Sequence, residues 1–421
     1  PPPASRFTAA ARVPVHRRRP YRIQFPNKIM RYEAALTYIH TYWPSIIRSN
    51  LQDNETLIGL PHPYLVPAAS SVSGMFQEMY YWDSFFISLG LAGTPHTQLI
   101  VDIAENFAYL VERFGLIPNG SRYYFTSRSQ PPFFTRQIAL ALEVKRGRGD
   151  ADCEAWLGRM LALAEREHDH VWLGTQQPHH RQVYRGLSRY FDINYLHILA
   201  SCESGWDHST RCDEKWLEHL PVDLNSLLFA VEQDLAAFAG QLRQSDRAAK
   251  WRASAQQRQA VVQEVMWDER AALFCDYNWR AETRNPHPSL AGFYPLFAGL
   301  ATPSQAGHMV ERWLGRFLQP GGLVTTLEAA PDKQWAWPNG WAPLQWIVTE
   351  GLDQYGFHAE ARDVRQRWCD HCASVFDRTG AFWEKYNVVA PGETRVEDGV
   401  YGTVRGFGWS NAVFADFVRR L

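Results

Sequence analysis

Apolar residues recur at helical spacing along most of the chain. Over residues 102–114, Ile103, Phe107, Leu110 and Val111 share one face, and Gly115 with the loop Pro118-Asn119-Gly120 ends the run. The same spacing predicts helices over 136–145 and 151–168, split by Gly147-Arg148-Gly149-Asp150. Leu224, Leu227, Leu228, Val231 and Leu235 make a stripe over 224–239, and the charged run 246–265 reads as an outer helix. Further helices are expected over 303–317, 341–350, 356–375 and 408–421, with Phe85 to Leu91 a short buried helical piece. No stretch approaches the ~18 continuous apolar residues of a membrane span, so no membrane association is expected. Strand patterns are few.

The fold class is therefore all-α, with loops rich in Gly, Pro and aromatic residues. Two helical architectures remain at this point, an open solenoid and a closed toroid of paired inner and outer helices. No repeat of about 30–50 residues is visible, which counts against the solenoid. No linker divides the chain, so residues 26–421 are expected to form one domain after an extended lead-in, 1–25, that carries Pro1-Pro2-Pro3 and Arg17-Arg18-Arg19.

Composition narrows the function. Lys plus Arg is 43 against 44 Asp plus Glu, so the basic excess of a general nucleic-acid binder is missing. The 421 residues include 17 Trp, 18 Tyr and 23 Phe. Rings fill cores and also stack on sugars, and composition does not choose between the two. The cysteines at 153, 202, 212, 275, 369 and 372 do not form a disulfide framework. Cys369-x-x-Cys372, around His371, offers half of a metal site with no second close pair. No glycine-rich phosphate loop is present. No metal and no cofactor are expected. An N-terminal apolar run after the basic segment is lacking, so a cytoplasmic location is expected.

Candidate chemistry sits in the loops. Three carboxylates follow Trp, in Trp82-Asp83, Trp206-Asp207 and Trp383-Glu384. An apolar ring beside a carboxyl raises its pKa by desolvation, as a general acid requires. Such residues also cap helices or pair with cations, and Glu384 has Lys385 beside it. Glycoside hydrolysis needs two carboxyl groups across the scissile bond, one to protonate the leaving oxygen and one to attack or to activate water. Asp207 and Glu384 suit that pair.

With these motifs in hand the chain resembles the trehalases, glycoside hydrolase family 37, and their relatives in family 63. Gly74 through Ser84 resembles the signature PGGRFxExYxWDxY, and Gln334 through Pro343 resembles QWDxPxGWAP. Segments like IPNG, SRSQPP, ESGWD, PVDLN, WEKYN and GFGW follow in family order. The resemblance implies an (α/α)6 barrel and an inverting α-glycosidase. It implies Asp207 as general acid and Glu384 as general base. It implies sugar contacts from Phe76, Tyr81, Trp82, Asp83, Asn119, Arg128, Gln130, Trp335 and Trp409.

Departures from the family pattern point to a different leaving group. The segment that reads the second glucose of trehalose is missing before Glu203. Met75, Ala336, Val400 and Arg405 replace an Arg and three acidic residues. The partner is therefore expected to be a small carbohydrate with an acidic aglycone, held by some of Tyr42, Arg181, Tyr184, Arg185, Arg189, Tyr190 and Arg405. That reading resembles the mannosylglycerate and glucosylglycerate hydrolases of family 63, with segment 181–190 closing over bound glycerate. A compact trehalase and a non-catalytic carbohydrate-binding toroid are the alternatives.

Overall fold

A computed structural model describes residues 29–69, 76–175, 178–330, 332–391 and 402–421. Its helices are α1 (Glu33–Ile46), α2 (Tyr81–Leu91), α3 (Gln98–Phe114), α4 (Phe134–Arg148), α5 (Cys153–Glu167), α6 (His197–Ser204), α7 (Val222–Gln241), α8 (Ser245–Val265), α9 (Tyr294–Ala298), α10 (Pro303–Met309), α11 (Ala342–Gln354), α12 (His358–Thr379) and α13 (Gly408–Arg420). α10 runs on through a π-helical turn, Val310–Leu314. Strands among the described residues are two or three residues long and form small sheets of two or three strands.

Outer helices α1, α3, α5, α8, α10 and α12 each precede an inner helix: α2, α4, α7, α9, α11 and α13 in turn. The inner helices close a ring. α2 packs on α4, α4 on α7, α7 on α9, α9 on α11, α11 on α13, and α13 back on α2. This is the (α/α)6 toroid, and the solenoid alternative is excluded.

The ring explains the sequence pattern. α2 is buried at every position, so it has no polar face. α12, on the outside, buries Ala361, Val364, Trp368, Cys372 and Val375 and leaves charged residues on its other side. Close approach within the ring needs small residues. A Cβ on Gly90 of α2 would sit 2.6 Å from the Cα of Ala412 on α13.

Rings fill the axis of the toroid. Phe85 stacks on Phe133 at 4.6 Å and meets Trp346 edge-on at 5.5 Å, and Phe297 meets Trp346 at 5.7 Å. Truncating one such buried ring costs about 3–5 kcal/mol. Trp82 sits on this plug, 5.7 Å from Phe86. Above it Trp82, Trp206, Trp335, Trp341 and Trp409 form one cluster, with Trp335 stacked on Trp341 at 3.8 Å. The aromatic richness is thus largely core. The loops that enter the inner helices meet above it.

Candidate active site

Every chemistry-bearing motif lies in or just after a loop that leads into an inner helix. Asp83 is in the first turn of α2. Segment 117–130 enters α4, segment 203–220 enters α7, segment 334–341 enters α11, and segment 383–407 enters α13.

The sugar-pocket candidates are knitted together by their own backbone. Tyr80 pairs with Gly120, and the Tyr81 N–H donates to the Asn119 carbonyl at 3.4 Å. Gln130 Oε1 accepts from the Trp82 N–H at 3.1 Å, so this amide caps the start of α2. Asn119 Nδ2 donates to the Cys202 carbonyl at 3.5 Å. Glu203, fully buried, accepts from the Ser129 N–H at 2.7 Å. Arg128 is buried and donates to Asp192 at 3.2 Å, and its Nε finds no partner among the described residues. Phe76, with φ +61°, packs edge-on against Phe407 at 5.6 Å. Tyr81 points away from this group, its hydroxyl 3.3 Å from the buried Glu167. Met75, Val400 and Tyr401 lie outside the described residues.

Asp207 stands on a loop held from below. Gly205 closes α6 at φ +72°, and a Cβ there would lie 2.6 Å from the Trp82 ring. His208, Cys212, Asp213 and Glu214 also have positive φ, a conformation that costs non-glycine residues about 1–3 kcal/mol each. Arg211 anchors the loop. Its guanidinium lies between the Trp206 and Trp216 rings at 4.4 and 5.3 Å. It donates to Asp223 at 2.8 Å and to Asp276 at 2.7 Å. Sequence reading missed Arg211 and Asp276. The signal was an Arg four residues after Asp207 with tryptophans on either side.

Glu384 comes from the other direction. Strand Asn339–Trp341 pairs antiparallel with Lys385–Asn387, placing Trp341 opposite Lys385. Ser209 pairs in parallel with Trp335. The Gln334 loop therefore runs between the Asp207 loop and the Glu384 strand. The floor tryptophans fix both: Trp341 Nε1 donates to the Gln334 carbonyl at 3.2 Å and Trp409 Nε1 to the Glu384 carbonyl at 2.9 Å.

The structure brings Asp83, Asp207 and Glu384 close enough to feel one another's charge. Burial, reinforced by Glu384 and Asp207, pushes Asp83 up to about 8. Burial also raises Asp207; His208 and Lys385 oppose the rise and Glu384 adds to it. A carboxyl that burial makes a weaker acid, set near a second buried carboxyl group, is an arrangement suited to acid–base cleavage of a glycoside.

The aglycone candidates are not gathered around these carboxylates. Arg181 is buried and ion-paired with Glu203 at 2.5 Å. Arg185 is exposed and grips Glu264 with both nitrogens at 2.6 Å. Arg189, lowered to about 10 by burial, donates to the His180 and Leu217 carbonyls. Tyr190 is buried 3.3 Å from Asp223, and Tyr184 packs on Tyr277 at 5.6 Å. Tyr42 lies on α1, and Arg405 lies in the loop into α13, where its backbone pairs with Trp383 next to Glu384. Tyr42 accepts from the Ala69 N–H at 3.1 Å, and exposed Arg405 donates to the Thr379 carbonyl at 3.3 Å. A cavity of about 210 Å³, lined by His197, Ser201, His208, Trp216 and Lys333 among others, flanks the Asp207 loop.

Cys369, His371 and Cys372 are buried on α12, and no cluster of metal-binding side chains occurs among the described residues. No helix among the described residues is long and apolar enough to cross a membrane.

Comparison with known proteins follows the same lines. The trehalase family model matches residues 8–198 and 193–421. A periplasmic trehalase of Xanthomonas campestris pv. campestris is 35% identical, over 91% of this chain and 73% of that protein. A periplasmic trehalase of Pseudomonas aeruginosa is 32% identical over 91% and 76%. Among solved structures, the neutral trehalase of Saccharomyces cerevisiae superposes with a TM-score of 0.81 at 24% identity, covering 93% of this chain and 94% of that one. The family 63 mannosylglycerate hydrolase of Thermus thermophilus with Tris and D-glycerate gives 0.64 at 20%, covering 92% and 100%. At these identities both structures speak for the fold alone. The expected kinship in character with the glycerate-releasing enzymes gives way to a trehalase one. The cytoplasmic expectation is overturned, because the relatives are periplasmic proteins.

Proposed function

The chain belongs to the trehalase family of glycoside hydrolases, and on that premise we propose that it cleaves α,α-trehalose to glucose with inversion. Asp207 protonates the glycosidic oxygen. Glu384 takes a proton from a water on the opposite face of the sugar. That water bonds to the anomeric carbon as the C–O bond breaks. Asp83 accepts from sugar hydroxyls and Arg128 donates to them, while Trp82 and Trp335 wall the pocket. The observation that carries this reading is the convergence of three carboxyl groups, one from the first turn of α2 and two from separate loops, on one tryptophan floor.

Trehalose is preferred over an acidic aglycone on two grounds. The relatives that cover most of this chain are trehalases. The arginines once assigned to a carboxylate already have protein partners, so a glycerate would have to displace them. We place the protein in the periplasm, by analogy with those relatives.

Initial rates on trehalose, 2-O-α-mannosylglycerate and 2-O-α-glucosylglycerate test the choice. The expected result is a kcat/KM for trehalose at least tenfold above either glyceryl glycoside. The reverse order would restore the acidic-aglycone reading.

A further inference from the structure

A bonded path joins the two carboxylates. Gln334 Nε2 donates to Asp207 Oδ2 at 2.7 Å. Lys385 Nζ donates to Gln334 Oε1 at 3.2 Å and to Glu384 Oε2 at 3.4 Å. Gln334, Lys385 and Glu384 are all buried. The backbone pairing of 334–341 with the two neighbouring loops puts them there, and the ammonium lies 5.3 Å from the centre of the Trp341 ring.

The chemistry of the donors fixes the direction of this path. An ammonium can only donate, so the Gln334 carbonyl oxygen must face Lys385 and its NH2 must face Asp207. The NH2 in turn can only donate, so Asp207 Oδ2 is held as an acceptor whether or not the carboxyl carries a proton.

We infer that Gln334 and Lys385 are positioning residues that place the transferable proton of Asp207 on Oδ1 and keep one cation facing both carboxylates through the reaction. This rests on the hydrolase roles proposed for Asp207 and Glu384. In one turnover the Oδ1 proton passes to the glycosidic oxygen as the anomeric C–O bond breaks. A water proton passes to Glu384 as the water oxygen bonds to the anomeric carbon. One proton is shared by the pair before and after the step. The pair therefore carries one negative charge in both states, and only its place changes. Bonded directly to Glu384 and through Gln334 to Asp207, the ammonium serves both states without moving.

Other titratable groups act on the pair from neighbouring elements. Asp83 of α2 feels both carboxylates and, raised to about 8 by burial, adds negative charge only at the alkaline end, and His208 adds positive charge toward Asp207. Cys202 of α6 also faces Asp207, its thiol held up to about 11 by burial and so neutral over the working range. All three remain in the variants below.

The test is the pH dependence of kcat on trehalose for the wild type, Lys385→Met, Lys385→Arg and Gln334→Met, with circular dichroism and melting curves on each. Activity is lost at low pH where the base takes up a proton and at high pH where the acid gives one up, and these limbs belong to the coupled pair. Losing the ammonium favours the protonated form of both groups. Lys385→Met is expected to slow kcat about 100-fold and to move both limbs to higher pH by about one unit. Lys385→Arg restores the cation and returns both limbs toward the wild type. Gln334→Met removes the donor to Asp207 and one acceptor of Lys385 but keeps the Lys385–Glu384 contact, so the alkaline limb moves up by more than the acid limb.

A purely structural role would lower kcat or the melting temperature with the limbs in place. Unmoved limbs in folded Lys385→Met overturn the inference. If that variant does not fold, an unmoved alkaline limb in Gln334→Met does so. Loss of the hydrolase reading looks different: a wild type inactive on all three substrates, or an Asp207→Ala variant as active as the wild type, removes the pair itself and the bridge with it.

Discussion

The mouth above the tryptophan floor and the segment 181–196 are both rich in charge and rings, yet they use them differently. In the mouth, Asp83 and Asp207 are buried within reach of the Glu384 charge, and burial raises both. Along 181–196, each cation is already committed to protein acceptors: Arg181 to Glu203, Arg185 to Glu264, and Arg189 to backbone carbonyls. Like residue types thus do opposite work. Buried carboxyl groups raised by desolvation are candidates for chemistry, and cations held by protein acceptors are braces.

The largest effect that would break this contrast is loss of the acid or the base. Asp207→Ala and Glu384→Ala are each expected to lower kcat on trehalose by about 10²–10⁴-fold with the circular dichroism spectrum retained. Hydrolysis at wild-type rate in both would dissolve the distinction between the regions. Next comes Arg181→Met, which strands the buried Glu203 carboxylate. Urea unfolding is expected to show a loss of about 3–5 kcal/mol, with the KM of the surviving enzyme little changed. A raised KM with full stability would instead make Arg181 a ligand.

A smaller effect sharpens the contrast through pH. Asp83 is pushed up to about 8 by burial, against 3.8 for the ordinary carboxyl. Between those values the folded protein holds a proton that the unfolded chain has released. Its stabilising contribution is full below pH ~4 and is lost as pH rises through ~8, at up to ~1.4 kcal/mol per unit. Melting curves of the ligand-free protein should fall across that window, and Asp83→Asn should flatten the fall. The smallest effect is expected from Arg185→Ala. Its ion pair with Glu264 is exposed, so neither melting temperature nor kcat/KM on trehalose should move measurably.

The same contrast explains what the sequence made legible. Outer helices such as α3 and α8 have a polar face, so their limits were readable to within a few residues. α1 and α9 were not read. α9 is a short apolar turn, Tyr294–Ala298, buried throughout and therefore without periodicity. The mouth was readable because its residues announce chemistry locally, as Trp206-Asp207 and Trp383-Glu384 do. The brace was not, because the partners of its cations lie far along the chain or on the backbone. Arg211 meets Asp276 65 positions away, and Arg185 meets Glu264 79 positions away. An arginine whose partner is remote looks, in sequence, like one waiting for a ligand. That is how Arg181, Arg185 and Arg189 came to be expected as ligands of an acidic aglycone.

The most direct test of the central claim is proton NMR of trehalose hydrolysis, recorded before the released sugars mutarotate. Attack by a water that Glu384 activates, opposite the leaving oxygen that Asp207 protonates, inverts one anomeric carbon and leaves the other untouched. The account predicts equal initial amounts of β-glucose and α-glucose. Release of α-glucose alone would mean retention, and would contradict the roles given to Asp207 and Glu384.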